Sequence, residues 1–192
     1  MVAMNKKEII TITGTLGSGK SSTADGLAKE LGYRRFSSGD FMRQIALKHG
    51  MSLNELQAIA EKDSSIDLEI DEAVRNAGTE EKIVIDSRLA FHWIPESFKV
   101  YLDLPPEIAK ERVMHSLKDN LLRQQSEHAT NADEAYQKIT ERLESEKKRY
   151  WELYKVDRTD RKNFDLIVDT DKNNLEQVIT IVLEEYKKWL AK

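Results

Sequence analysis

Residues 8–21 read Glu8-Ile9-Ile10-Thr11-Ile12-Thr13-Gly14-Thr15-Leu16-Gly17-Ser18-Gly19-Lys20-Ser21, and this stretch decides the fold. Its first half is a β-branched run with little polar interruption, the pattern of a parallel strand buried on both faces. Its second half, Gly14 to Ser21, is Gly-x-x-x-x-Gly-Lys-Ser, the phosphate-loop pattern. Beyond it Ala24, Leu27, Ala28 and Leu31 recur at helical spacing, and Gly32 supplies a stop signal. An accidental glycine turn has no reason to fall between a strand and a helix in this way. The glycines let the backbone curl so that N–H groups face phosphate oxygens, and the helix N-terminus adds the positive end of its dipole. Lys20 is placed to reach β- and γ-phosphates and the Ser21 hydroxyl to ligand magnesium. Gly14, Thr15, Leu16, Gly17, Ser18, Gly19, Lys20, Ser21 and Ser22 are therefore the candidate nucleotide-binding residues, with ATP and Mg2+ the expected cofactors.

Working outward, Tyr33 to Phe36 reads as a short strand, and Ser38-Gly39-Asp40 as a turn before a helix from Phe41 to His49. Ser52-Leu53-Asn54-Glu55 is a capping box opening a helix to about Glu61. Asp67 to Ala77 forms a third helix, ended by Gly78. Three short charged helices in a row predict an inserted cap over 38–78. Lys82 to Ile85 is a buried strand ending in Asp86, and Phe98 to Leu104 is another, broken by Pro105 and Pro106 ahead of a helix near Glu107. His115 to Asn131 is polar without clear periodicity and reads as a mobile loop or lid. Ala132 to Tyr154 is a long charged helix, and the lid region is expected over 115–150. Phe164 to Val168 is the last strand. Leu175, Val178, Ile179, Val182, Tyr186 and Leu190 mark an amphipathic final helix. The alternation predicts one α/β domain over 1–192, a five-stranded parallel sheet flanked by helices, with the phosphate loop at the carboxyl edge.

Composition narrows the function classes. A net charge of −4 over 192 residues argues against a nucleic-acid polymer as partner. Cysteine is absent, which excludes disulfides and thiolate-held metals. His49, His92, His115 and His128 show no metal-ligand spacing. No apolar stretch approaches the roughly 20 residues a membrane helix needs. No signal peptide is visible in the opening residues, and Met4 is a second candidate start. A cytoplasmic monomer acting on small-molecule nucleotides is expected.

The acceptor side is carried by two constellations. Asp86 ends a buried strand, where a magnesium-organising carboxylate belongs, and Arg88 follows over the same edge as a bidentate phosphate ligand. Ser38, Gly39 and Arg43 form the second: Gly39 permits close approach at a helix start, and Arg43 turns back to an anion there. Asp86-Ser87-Arg88-Leu89 lacks the glycine of a GTPase metal loop, and no Asn-Lys-x-Asp occurs, which argues against a small GTPase.

This combination resembles the nucleoside monophosphate kinases, and more narrowly the archaeal-type cytidylate kinases. The similarity runs through the loop, Ser38-Gly39 to Arg43, Gly50-Met51-Ser52-Leu53, Ile66-Asp67 with Ile70-Asp71, and Arg88-Leu89-Ala90. It continues in Glu141-Arg142, Ser145-Glu146 and Arg149-Tyr150, in Tyr154 with Asp157, and in Phe164 to Thr170. It departs at Ser87, where glycine is expected, and in the longer segment 115–133. The resemblance implies transfer of the ATP γ-phosphoryl group to CMP or dCMP. Its implied site comprises Lys20, Arg88, Arg142 and Arg149 for catalysis, Ser38, Gly39, Arg43, Asp67 and Arg88 for the acceptor, and Ser21 and Asp86 for the metal. Arg142 and Arg149 stand nearly two turns apart, on one helix face, and lid closure is expected to deliver both to the transferring phosphoryl group. AMP, UMP, dephospho-CoA and shikimate are alternative acceptors, although the Asp-Gly-Phe-Pro-Arg and Gly-Gly signatures of adenylate and shikimate kinases are missing. A nucleotide-binding protein without catalysis is the alternative from another class.

Overall fold

The computed structural model describes residues 6–119 and 129–192. The candidate start Met4 and the central part of the expected lid, 120–128, lie outside the described residues.

The β-branched run becomes β1 (Ile9–Gly14), the middle strand of a five-stranded sheet. It pairs in parallel with β3 (Ile83–Asp86) on one side, Ile12 opposite Asp86, and with β4 (Phe98–Asp103) on the other, Gly14 opposite Leu102. The edges are β2 (Arg34–Ser37) and β5 (Leu166–Asp169), giving the order β2-β3-β1-β4-β5, all parallel. Strand alternation divides the core. Ile10 and Ile12 join Val84, Val100, Leu102 and Val168 beneath α1 (Lys20–Leu31) and the final helix (Leu175–Ala191). Ile9, Ile83 and Ile85 face the opposite side, against Val74, Ala77, Ala90 and Ile94.

After β2 come α2 (Ser38–Lys48), α3 (Leu53–Ala60) and α4 (Ser65–Ala77). The capping box at Ser52 and Glu55 is present. Ser38, Gly39 and Asp40 are not a turn before α2 but its first turn. The cap is Ser37, whose hydroxyl accepts from the Asp40 N–H, so a strand residue does the capping and no linker is needed. The three helices share a satellite core of Ile45, Ala46, Leu53, Leu56 and Ile70, separate from the sheet's.

A one-turn helix absent from the sequence reading, α5 (Ala90–Trp93), follows β3. Helix α6 (Pro106–Asp119) starts at the prolines as expected but runs beyond His115, into the stretch read as irregular. The reason is tertiary: Val113 and Leu117 bury against Ala132, Ala135 and Ile139 of α7 (Ala132–Tyr154), so two apolar side chains one turn apart suffice. The final helix, α8, closes the chain. Among the described residues no helix is long and apolar enough to cross a membrane.

Candidate active site

The loop between β1 and α1 gathers Gly14 to Ser22 at the carboxyl edge of the sheet. Two glycines are dictated by geometry. Gly19, the N-cap of α1, has φ 82°, a left-handed conformation that L side chains rarely adopt. A Cβ on Gly14 would fall 2.3 Å from the Leu102 carbonyl oxygen of the neighbouring strand. Ser18 Oγ donates to the Thr15 carbonyl at 2.8 Å and folds the turn on itself. Lys20 Nζ donates to the carbonyls of Thr15 (2.7 Å) and Gly14 (3.1 Å), lying along the loop that would cradle phosphates. Between Thr13–Leu16 and the α7 residues Tyr136, Thr140 and Leu143 lies a cavity of about 220 Å³.

Asp86 and Ser21 converge from different elements, with Ser21 Oγ donating to Asp86 Oδ2 at 2.8 Å. Two hard oxygen donors beside a phosphate cradle fit Mg2+, which takes few protein ligands and several phosphate oxygens. Ser87, where glycine is expected, is buried without difficulty: its carbonyl accepts from Thr13 Oγ1 at 2.9 Å and its N–H donates to the Ile12 carbonyl at 3.2 Å. Arg35, which the sequence reading missed, reaches Asp86 at 3.4 Å, Asp40 at 3.2 Å and Asp25 at 3.2 Å. Its only sequence signal is a second arginine inside a short strand.

Ser38, Gly39 and Arg43 occupy the first two turns of α2. Arg43, half exposed, pairs with Asp40. Burial pushes the Asp40 carboxyl upward, but Arg43, Arg35 and the Ser37 hydroxyl together hold it below the usual range. Arg88 lies 2.7 Å from the carboxylate of Glu146, whose side chain is fully buried.

Arg149 is engaged by the cap. Its Nε donates to Asp67 Oδ2 at 2.7 Å, one Nη to Asp67 Oδ1 at 3.2 Å, and the other to Ser145 Oγ at 2.8 Å. Gln57, with its carboxamide oxygen turned toward the guanidinium, accepts from the same group. Ser145 Oγ donates to Glu61 at 2.6 Å. These bonds join α7 to α3 and α4. Arg142, half buried, stands on α7 nearly two turns before Arg149. Asp71, one turn beyond Asp67, accepts from Trp93 Nε1 at 2.9 Å and from the Tyr154 hydroxyl. Burial raises its carboxyl above the usual range despite these two donors.

The sheet order, the glycine loop opening α1 and the Ser21–Asp86 pair at the same edge define a P-loop kinase fold. The comparisons agree: a shikimate kinase from Bacteroides thetaiotaomicron superposes with a TM-score of 0.63 at 15% identity, covering 93% of this chain and 98% of that one. The model of the cytidylate kinase-like family matches residues 9–172, and the chain belongs to that family. It is 36% identical over 175 residues to a cytidylate kinase of Pyrococcus abyssi, covering 91% of each chain. A cytidylate kinase of Methanosphaera stadtmanae is 31% identical over 91% of this chain and 95% of its own. The chain is also 33% identical to an S-adenosylmethionine-dependent nucleotide dehydratase of Lacinutrix mariniflava, over 95% of this chain but only 36% of that protein's length.

Proposed function

We propose that the protein transfers the γ-phosphoryl group of ATP to CMP, giving ADP and CDP. The observation that carries this reading is the joining, at one sheet edge, of a phosphate loop with a Ser21–Asp86 pair. Similarity over nine-tenths of both chains to a protein named cytidylate kinase supports CMP as the acceptor.

The loop N–H groups and Lys20 hold the donor phosphates, and Ser21 and Asp86 hold magnesium. The metal, when bound, neutralises charge on the phosphate oxygens. Arg43 and Arg88 bind the acceptor's phosphate, with Ser38 and Gly39 at the same helix start, and Asp67 braces the cap through Arg149. An acceptor phosphate oxygen forms a bond to Pγ as the bridge from Pγ to the β-phosphate breaks, and the electron pair leaves on ADP. Arg142 closes over this charge from α7, the lid helix, whose seat on α4 is fixed by the bonds of Arg149 to Asp67. Positioning and charge stabilisation supply the rate, since no covalent intermediate is needed.

A coupled ADP assay with ATP, Mg2+ and a panel of CMP, dCMP, UMP, AMP, dephospho-CoA and shikimate tests this. CMP is expected to give the highest kcat/KM, with dCMP or UMP next. Preference for AMP or a non-nucleotide would overturn the acceptor assignment, and ATP binding without turnover on any acceptor would overturn the enzyme assignment.

Arg43 offers a separate check, because its exposed pair with Asp40 contributes little to stability. Arg43→Ala is expected to raise the KM for CMP about 10-fold or more, the loss of a charge-assisted hydrogen bond, while ATP affinity by calorimetry stays within about 2-fold. Equal weakening of both nucleotides would remove Arg43 from the acceptor side.

A further inference from the structure

Arg158 belongs to none of the motifs that point to the site, yet the fold brings it there. Helix α7 ends at Lys155, a left-handed C-cap with φ 55°, and the chain then turns back under the helix. The turn is pinned on both sides of Arg158. Asp157 Oδ1 accepts from the Thr159 N–H at 2.8 Å, and the Asp157 carbonyl accepts from Asn163 Nδ2 at 3.2 Å. Asp160 caps the short 3-10 turn Arg161–Asn163. Held this way, Arg158 lines the same cavity as Thr13, Gly14, Thr15 and Leu16 of the phosphate loop.

Its polar atoms are poorly provided for. Arg158 Nε is buried and has no hydrogen-bond partner among the described residues. Glu146, the acidic group nearby, is fully buried and sits 2.7 Å from Arg88, but neither of its oxygens has a hydrogen bond of good geometry. A finished structural network would satisfy these groups, because a buried donor without an acceptor costs free energy. Arg88 and Arg158 carry two positive charges against the single negative charge of Glu146. Burial first, and then the charge of Arg88, push the Arg158 guanidinium below its usual value, with Glu146, Tyr150 and Tyr101 opposing. Glu144 lines the same cavity but is exposed on α7 and leaves Arg158 Nε without an acceptor, and the cavity opens onto a loop built for phosphate.

We propose that Arg158 is a further phosphate-binding residue of the active site, donating to oxygens of the phosphoryl group as it passes from ATP to the acceptor. Arg88 and Arg158 then flank that group together, with Glu146 at 2.7 Å from Arg88 offsetting one of their two charges. This assignment rests on the kinase reading above. It adds no bond-making step: the same oxygen attacks Pγ and the same bridge to ADP breaks, with Arg158 bearing part of the charge that spreads over the oxygens in flight.

The test uses the full chain and compares wild type, Arg158→Ala and Arg158→Lys under saturating ATP, Mg2+ and the best monophosphate. Arg158→Ala is expected to lose about 30-fold or more in kcat, as for a lost charge-assisted hydrogen bond, with ATP affinity by calorimetry within about 3-fold. Millimolar guanidinium should restore part of the alanine variant's turnover, and lysine should recover part through charge alone. A structural role would not respond to guanidinium, and a thermal melt of both variants confirms folding. Turnover of Arg158→Ala within about 3-fold of wild type, or a loss that neither lysine nor guanidinium relieves, overturns the assignment and leaves the kinase reading standing. A wild-type protein that phosphorylates no monophosphate overturns both.

Discussion

Lys20→Ala is expected to reduce turnover at least about 10²- to 10³-fold, equivalent to roughly 3–4 kcal/mol of lost transition-state stabilisation, with the fold intact. Lys20 Nζ donates to the loop carbonyls of Gly14 and Thr15. Water can take the place of the ammonium at these two part-buried carbonyls once the side chain is cut back. In the proposed reaction the same ammonium would meet the developing charge between donor and acceptor, where the protein forms no covalent bond and charge placement is what it has to offer. Steady-state kinetics beside a thermal melt separates the two effects. A variant with turnover within a few-fold of wild type would remove Lys20 from the reaction. A variant that melts far below wild type would show that the lysine braces the loop.

How much of this was legible in the sequence depends on whether the cause was local. The phosphate loop was legible because its determinants are contiguous: a β-branched strand, glycines at fixed offsets and a helix start. Asp86 was legible as the last residue of a buried run. The lateral order of the strands was not, since β1 meets β3 and β4 across separations that no local pattern encodes. The extension of α6 past His115 was hidden because Val113 and Leu117 stand out as a buried face only once Ala135 and Ile139 are seen to cover them. Arg35 and Arg158 sit in segments with unremarkable patterns, and each acquires its neighbours from a different element. Glu146 lay inside a recognised stretch, yet its complete burial beside Arg88 could not be read from a helix dense in charge.

Arg149 shows the same limit with a measurable consequence. Helical spacing places Arg142 and Arg149 on one face but does not say what that face meets. It meets the cap, and Asp67, 2% exposed, takes the Arg149 guanidinium through two of its nitrogens. Breaking such a pair from one side leaves the other charge buried and uncompensated, at a cost of about 3–5 kcal/mol. For a domain of this size that corresponds to a fall in melting temperature of roughly 6–20 °C, which is the expected result for Arg149→Ala. Replacing both partners by apolar residues of similar volume, Asp67→Leu with Arg149→Met, removes both charges together and should recover most of the loss, since a buried ion pair is often no more stable than a well-packed apolar one. Recovery in the double variant separates a charge left stranded from a contact simply lost, because simple loss of packing would add across the two positions. An Arg149→Ala protein that melts within a degree or two of wild type (well under 1 kcal/mol by the same scaling) would mean that the pair does not tie the helix. With the tie in place, α7 is bound to α3 and α4 through Arg149 and Ser145, so a shift of those two helices carries the helix bearing Arg142 with it.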